Sequence, residues 1–139
     1  MIDGDTVDLR FASGVEPVRL LGIDTPETVA RTVPVQCFGA EATDALTALL
    51  PPGTAVVVSR DVEARDHYDR LLLYLYRAED GVFVNEWMVA HGYAEAVSYA
   101  PNTTHEIALV RAEARAKANG HGLWSACDGP DQPLDPDGT

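Results

Sequence analysis

The sequence predicts a single α+β domain, and three observations carry that expectation. Runs with the two-residue alternation of strands come first, and segments with helical spacing are interleaved and end the chain. The 139 residues are enough for one core but not two. There is no internal repeat and no stretch long and apolar enough to span a membrane.

Asp5 opens an alternating run, with Val7, Leu9 and Phe11 on one face and Thr6, Asp8 and Arg10 on the other. Ala12-Ser13-Gly14 reads as a turn, and Val15 to Ile23 as a second, mostly apolar strand. A loop from Thr28 to Gln36 leads into a helix with Phe38, Ala42, Ala45, Leu46, Leu49 and Leu50 at helical spacing, ended by Pro51-Pro52-Gly53. Thr54 to Ser59 and Leu71 to Arg77 read as strands, the second followed by a Glu79-Asp80-Gly81 turn. Val84 to His91 reads as a short helix stopped at Gly92, and Tyr93 to Val97 as a further extended piece. A last helix is expected after an Asn102/Thr103/Thr104 cap, running to Asn119-Gly120. Trp87 and Trp124 fall in apolar patterns and are expected in the core, and the four histidines have no metal-ligand spacing on one element.

Three strings carry chemistry: Asp3-Gly4-Asp5-Thr6, Arg19 to Glu27, and Asp66-His67-Tyr68-Asp69-Arg70. If the first two strands close a hairpin near Ser13, Asp5 and Asp24 reach the same open end. Like charges held close repel unless a cation lies between them. Oxygen-only ligands suit calcium or magnesium better than zinc, and the Thr25 backbone carbonyl is a further oxygen. With so few protein ligands, water and a substrate phosphate would complete the shell. Taken alone, the first string reads as a solvated turn, and it is not an EF-hand loop, because Val7 stands at that pattern's fifth position.

Arg19 lies among Val18, Leu20 and Leu21, so its guanidinium needs an anion: a phosphate, or a neighbouring carboxylate. Arg19 and Asp24 are five residues apart. A regular strand would put them on opposite faces, about 16 Å apart along its axis. Both serve one site only if the strand bends, and Gly22 is the place for it. Arg70 precedes a strand, and with Arg19 it offers a second fork for phosphate oxygens. Tyr68 reads either as a phosphate or base contact or as an edge tyrosine packed on the sheet.

The three strings, together with Val84-Asn85-Glu86, the segment from Tyr99 to Glu106 and Leu123-Trp124-Ser125, resemble the staphylococcal nuclease (thermonuclease) family from Ile2 to about Ser125. The resemblance implies a five-stranded OB-type β-barrel with three helices over residues 1–127. It implies Ca²⁺ held by Asp5, Asp24 and Thr25, a phosphate held by Arg19 and Arg70, and Glu27 acting on the attacking water. It also implies Tyr68 and Tyr99 as nucleotide contacts. The implied activity is hydrolysis of DNA or RNA, single-stranded or frayed, by a monomer, with 3′-phosphorylated products. An OB-type binding or scaffold module with little or no activity is the alternative, and it should lack one of Asp5, Arg19, Asp24, Glu27 and Arg70. All five are present.

Departures from the family pattern shape further expectations. Family members carry a strand before the first string, of which only Met1 and Ile2 would remain here, leaving a barrel edge unpaired. Asp69 replaces the usual glycine before the second arginine, and its carboxylate is expected to compete with phosphate for Arg70. The net charge is −12, and the stretch 128–139, read as a disordered acidic tail, carries −4 of it, leaving −8 on the rest. Such a chain is a poor electrostatic match to a polyanion, so affinity would come from the cation and short-range arginine contacts. Cys37 and Cys127, the only cysteines, suggest a disulfide between the start of the first helix and the end of the last, with two buried thiols as the alternative. A disulfide implies a secreted protein, although no signal peptide is visible.

Overall fold

The computed structural model describes residues 4–26, 36–127 and 129–130. Met1 and Ile2, Glu27 and nearly all of the acidic tail lie outside the described residues.

Strands β1 (Thr6–Phe11) and β2 (Gly14–Leu20) form the expected antiparallel hairpin, in register from Thr6 opposite Arg19 to Phe11 opposite Gly14. Asp8 and Arg10 face solvent while Val7 enters the core. The last three residues of β2, Val18, Arg19 and Leu20, are all buried, so this end of the strand is covered on both faces. The second predicted strand is broken in two. It turns at Leu21-Gly22 and resumes as β3 (Ile23–Asp24).

Helix α1 (Gly39–Leu49) buries Ala42, Leu46 and Leu49 along one stripe, and Pro51-Pro52 follows its end. Strand β4 (Val56–Ser59) pairs antiparallel with β5 (Leu71–Arg77), and β5 runs parallel to β2, with Val18 beside Leu71 and Arg19 beside Leu72. The four-stranded sheet has the order β1-β2-β5-β4. Among the described residues β1 and β4 are its outer strands. A cavity of about 250 Å³ between them is lined by Val7, Leu9, Leu50, Pro51 and Val56 among others.

Helix α2 (Val84–Ala90) leads to β6 (Glu95–Ala96), which pairs antiparallel with β3. Helix α3 (Glu106–Ala118) buries Leu109, Ala112 and Ala116. Its first turn is not capped by the side chains of Asn102, Thr103 or Thr104: His105 holds the cap position without a side-chain bond, and the Glu106 N–H donates to the Thr103 carbonyl. The three expected helices are joined by a fourth of one turn, α4 (Leu123–Ala126). One core takes side chains from β1, β2, β3 and β5 and from α1, α2 and α3. Each fully buried leucine or isoleucine in it contributes about 1.5–3 kcal/mol. Trp87 and Trp124 are only half-buried, because Trp87 stacks on Tyr93 and His91 at the surface and Trp124 lies under Lys117.

Cys37 and Cys127 are joined in a disulfide, tying the entrance of α1 to the exit of α4 across 90 residues. In the chain-entropy description, closing so long a loop adds about 4–5 kcal/mol.

The turn at Leu21-Gly22 is bonded on every side. The Leu20 N–H donates to the Asp5 carbonyl, the Leu21 N–H to the Leu73 carbonyl and the Val97 N–H to the Gly22 carbonyl. The buried Asn85 amide donates to the Leu21 carbonyl at 2.8 Å, and its Oδ1 accepts the Leu75 N–H at 3.0 Å. Gly22 has φ +80°, and a Cβ there would lie 2.5 Å from Leu109 Cδ1. A left-handed alanine costs roughly 1–2 kcal/mol and overpacking a tight core roughly 1–3 kcal/mol more. Gly22→Ala should therefore lower unfolding stability by about 2–5 kcal/mol in a urea titration, while alanine at the exposed turn residue Ser13 should shift it by less than about 0.5 kcal/mol.

Candidate functional site

The turn at Gly22 folds β3 back beside the start of β1, and the charged residues meet there. Arg19 Nη2 lies 3.4 Å from Asp5 Oδ2 and 3.6 Å from Asp24 Oδ1. Arg19 and Asp5 are each only 6% exposed, whereas the Asp24 side chain is 36% exposed and opens the cluster to solvent. Arg19 Nη1 donates to the Leu20 carbonyl at 2.7 Å, fixing the guanidinium in plane. Asp5 accepts from the Thr25 N–H and from the Thr6 hydroxyl, both at 3.2 Å. A buried guanidinium without such partners would cost several kcal/mol.

The donor set around this corner is all oxygen. The Thr25 hydroxyl is buried and has no hydrogen-bond partner among the described residues. Asp5 and Asp24 supply two carboxylates, and among the described residues no group of three or more histidine, cysteine or acidic side chains could hold a metal. A hard cation suits such a corner if water, backbone and substrate oxygens complete its shell.

Tyr99 packs on the small cluster of Leu21, Leu72 and Tyr74, and Arg19 Cζ lies 5.8 Å from its ring centroid. Side chains of β2 and β5 alternate, so Arg19 and Leu21 share one sheet face with Leu72 and Tyr74. Arg70, two residues before Leu72, enters on that same face. Asp5, Arg19, Asp24, Thr25 and Tyr99 thus form one cluster, while Arg70 and Tyr68 form a second at the entrance to β5. Glu27 lies outside the described residues.

In this second cluster Asp69 does not compete for Arg70. Its backbone is left-handed, with φ +64°, a conformation that glycine adopts at least cost. Its carboxylate lies 3.8 Å from Arg65 Nε, and Arg65 also binds Glu16 at 2.8 Å. The carboxylate that holds Arg70 is Asp66, whose Oδ2 accepts from Arg70 Nε at 2.8 Å. Tyr68 is 70% exposed, with Arg70 Cζ 5.4 Å from its ring centroid, so it is not packed on the sheet.

A family model described as staphylococcal nuclease homologue matches residues 17–126. The chain belongs to this family. Its α+β architecture is the OB-type fold of that family, with β1, β2, β4 and β5 in one sheet. A thermonuclease of Staphylococcus hyicus is 32% identical over 125 residues, covering 90% of this chain and 72% of that one. An uncharacterised Bacillus anthracis protein is 36% identical over 124 residues, covering 88% of this chain and 57% of that one. The SPbeta prophage-derived endonuclease YokF of Bacillus subtilis is 35% identical over 125 residues, covering 89% of this chain and 42% of that one. The chain thus spans about half the length of two of these relatives.

In this nuclease-family chain, three residues that support the cluster have roles that the motifs alone do not convey. Asn85 pins the turn that brings Asp24 to Arg19. Asp66 holds Arg70. Asp61 accepts from the Tyr74 hydroxyl at 2.6 Å and from the Thr104 N–H at 3.0 Å, joining the loop before Arg70 to the segment after Tyr99. Asn102 and Glu63 make a parallel link, with bonds of 2.8 and 3.0 Å.

Burial works against the charged forms of Asp61 and Asp66, yet both carboxyls are held below the usual range. For Asp61 the Tyr74 hydroxyl and the Thr104 N–H outweigh burial, and for Asp66 the backbone N–H and guanidinium of Arg70 do so. A carboxyl depressed in the folded state contributes stability that is present above its unfolded value, 3.8, and is lost as pH falls through the lower folded value. Urea titrations from pH 6 downward should show stability falling below about pH 4. Asp61→Asn should lower stability at pH 6 and make the acid fall shallower; an unchanged slope would contradict the assignment.

Proposed function

We propose that this chain is a calcium-dependent phosphodiesterase that hydrolyses DNA or RNA and leaves 3′-phosphorylated products. The observation that carries this reading is the placement of one guanidinium nitrogen between two carboxylates, 3.4 Å from Asp5 and 3.6 Å from Asp24. Relatives named thermonuclease and endonuclease support it.

Asp5 and Asp24, with the Thr25 backbone, would hold the calcium, which supplies Lewis-acid polarisation of a phosphoryl oxygen. Arg19 neutralises both carboxylates in the described structure. With a cation sharing that task, its guanidinium is available to a phosphate. Arg19 and Arg70 then stabilise negative charge as it grows on the phosphoryl and leaving oxygens. Glu27 takes a proton from the attacking water or orients it. Water oxygen bonds to phosphorus, the bond from phosphorus to the 5′ oxygen breaks, and that oxygen acquires a proton. The products are a 3′-phosphate and a 5′-hydroxyl. Tyr99 and Tyr68 would contact the nucleotide, a role supported by the 5.8 Å between Arg19 Cζ and the Tyr99 ring centroid and by the exposure of Tyr68.

The net charge of −12 repels a polyanion, so activity should rise from very low salt to an optimum before falling. The disulfide supports action in an oxidising compartment outside the cytosol.

Digestion of single-stranded DNA with calcium, with chelator, and by a Glu27→Gln variant tests the proposal. Calcium should support cleavage, chelator should abolish it, and Glu27→Gln should slow it by roughly 10²–10⁴-fold. Equal digestion in all three arms would overturn the mechanism. Binding of the strand without cleavage in any arm would instead establish an OB-type binding module.

A further inference from the structure

We propose that Asp66 is a positioning residue that grips Arg70 by its Nε edge and so presents the two terminal guanidinium nitrogens to a phosphate. The inference rests on the nuclease reading above and adds to it the residue that aims the second arginine.

The two carboxylate oxygens of Asp66 have different tasks. Oδ1 accepts the backbone N–H groups of Tyr68 and Arg70, each at 2.9 Å, and closes the loop. Oδ2 accepts Arg70 Nε at 2.8 Å and sets the guanidinium. The loop is further closed by the Asp66 N–H to the Arg70 carbonyl and the Asp69 N–H to the Asp66 carbonyl. The Asp66 side chain is 10% exposed against 30% for Arg70, so the gripping end is buried and the gripped end faces out.

Two sides of the guanidinium are taken, its Nε edge by Asp66 and one face by Tyr68. Tyr68 lies against one face, with Arg70 Cζ 5.4 Å from the ring centroid. The neighbouring carboxylate of Asp69 is exposed and lies 3.8 Å from Arg65 Nε. A planar guanidinium bound along its Nε edge keeps its terminal pair of nitrogens for a bidentate anion. Leu72 lies beside Arg19 in the register of β2 and β5, and by strand alternation Arg70, two positions earlier, falls on the same face; under the nuclease reading the phosphate it would meet is the one at the Asp5 and Asp24 corner.

The division of labour between the oxygens makes the idea separable from simple loop stability. Asparagine keeps an oxygen for the two backbone N–H groups but turns an NH₂ group, a donor, towards Nε. Asp66→Asn should lower kcat on single-stranded DNA by about 10–100-fold with KM changed by less than about threefold, as misplacement of a transition-state contact does. In an Arg70→Ala background the same substitution should change kcat by less than about twofold, since its effect runs through Arg70. Asp69→Asn should leave kcat unchanged. Should Asp66→Asn fail to fold in a circular-dichroism melt, Asp66→Ser, whose hydroxyl also accepts the loop N–H groups, carries the same expectation. A wild-type kcat in Asp66→Asn, or an equal loss with and without Arg70, would overturn the inference.

The Arg70 Nε–H resonance gives a readout independent of catalysis. It should be sharp and slow to exchange in the wild type and lost to exchange in Asp66→Asn. An unchanged signal overturns the grip even in an active enzyme. A wild type that cleaves no nucleic acid overturns the nuclease reading, whatever that signal does.

Discussion

Everything at the candidate site hangs on a buried guanidinium that two carboxylates must share. Arg19 and Asp5 are both almost wholly removed from water, and neither is tolerable there without the other. Asp24 joins them only because the chain reverses at Gly22, where a side chain would collide with Leu109 and the backbone is left-handed. The hydrogen bonds from Asn85, Val97 and Leu20 hold that reversal from three directions. The core beneath it, with Leu20, Ile23 and Leu109 buried, makes the reversal costly to undo. The Arg19, Asp5 and Asp24 corner is therefore fastened to the buried core.

Much of this was legible in the chain itself. The alternation of Val7, Leu9 and Phe11 gives β1, and the five-residue spacing of Arg19 and Asp24 demands a bend that falls at Gly22. The Cys37–Cys127 bond is also as the residues suggest. What was not legible depends on distant partners. Asn85 looks like an ordinary polar residue in a short helix, and its role appears only when Leu21 and Leu75 are brought to its amide from 64 and 10 positions away. Asp61 is likewise explained by Tyr74 and Thr104. The side-chain cap expected before α3 is replaced by a backbone one: His105 holds the cap position, and the Thr103 carbonyl accepts the Glu106 N–H. Asp69 looked like a rival for Arg70, but its carboxylate lies nearer Arg65, four residues back, a preference set by the left-handed turn at Asp69 and not by spacing alone.

The acidic net charge and the two arginines are two length scales of one electrostatic problem. At long range a net charge of −12 opposes a nucleic acid, and salt screens it over about 10 Å at 0.1 M. At short range Arg19 and Arg70 act within hydrogen-bond distance, where screening is weak. Both arginines are already partnered by carboxylates, Arg19 by Asp5 and Asp24 and Arg70 by Asp66. Under the proposed function a phosphate would have to replace or share existing pairs, and a divalent cation on the Asp5 and Asp24 side would shift that exchange in its favour.

The most direct measurement is calcium binding by calorimetry on the intact chain and on Asp5→Asn and Asp24→Asn variants. The expected result is one calcium per chain in the wild type, with that site lost or weakened by at least about tenfold in each variant, because both carboxylates face the same guanidinium. Undiminished calcium binding in either variant would show that the two carboxylates do not form one site, and the reading of this corner would fail.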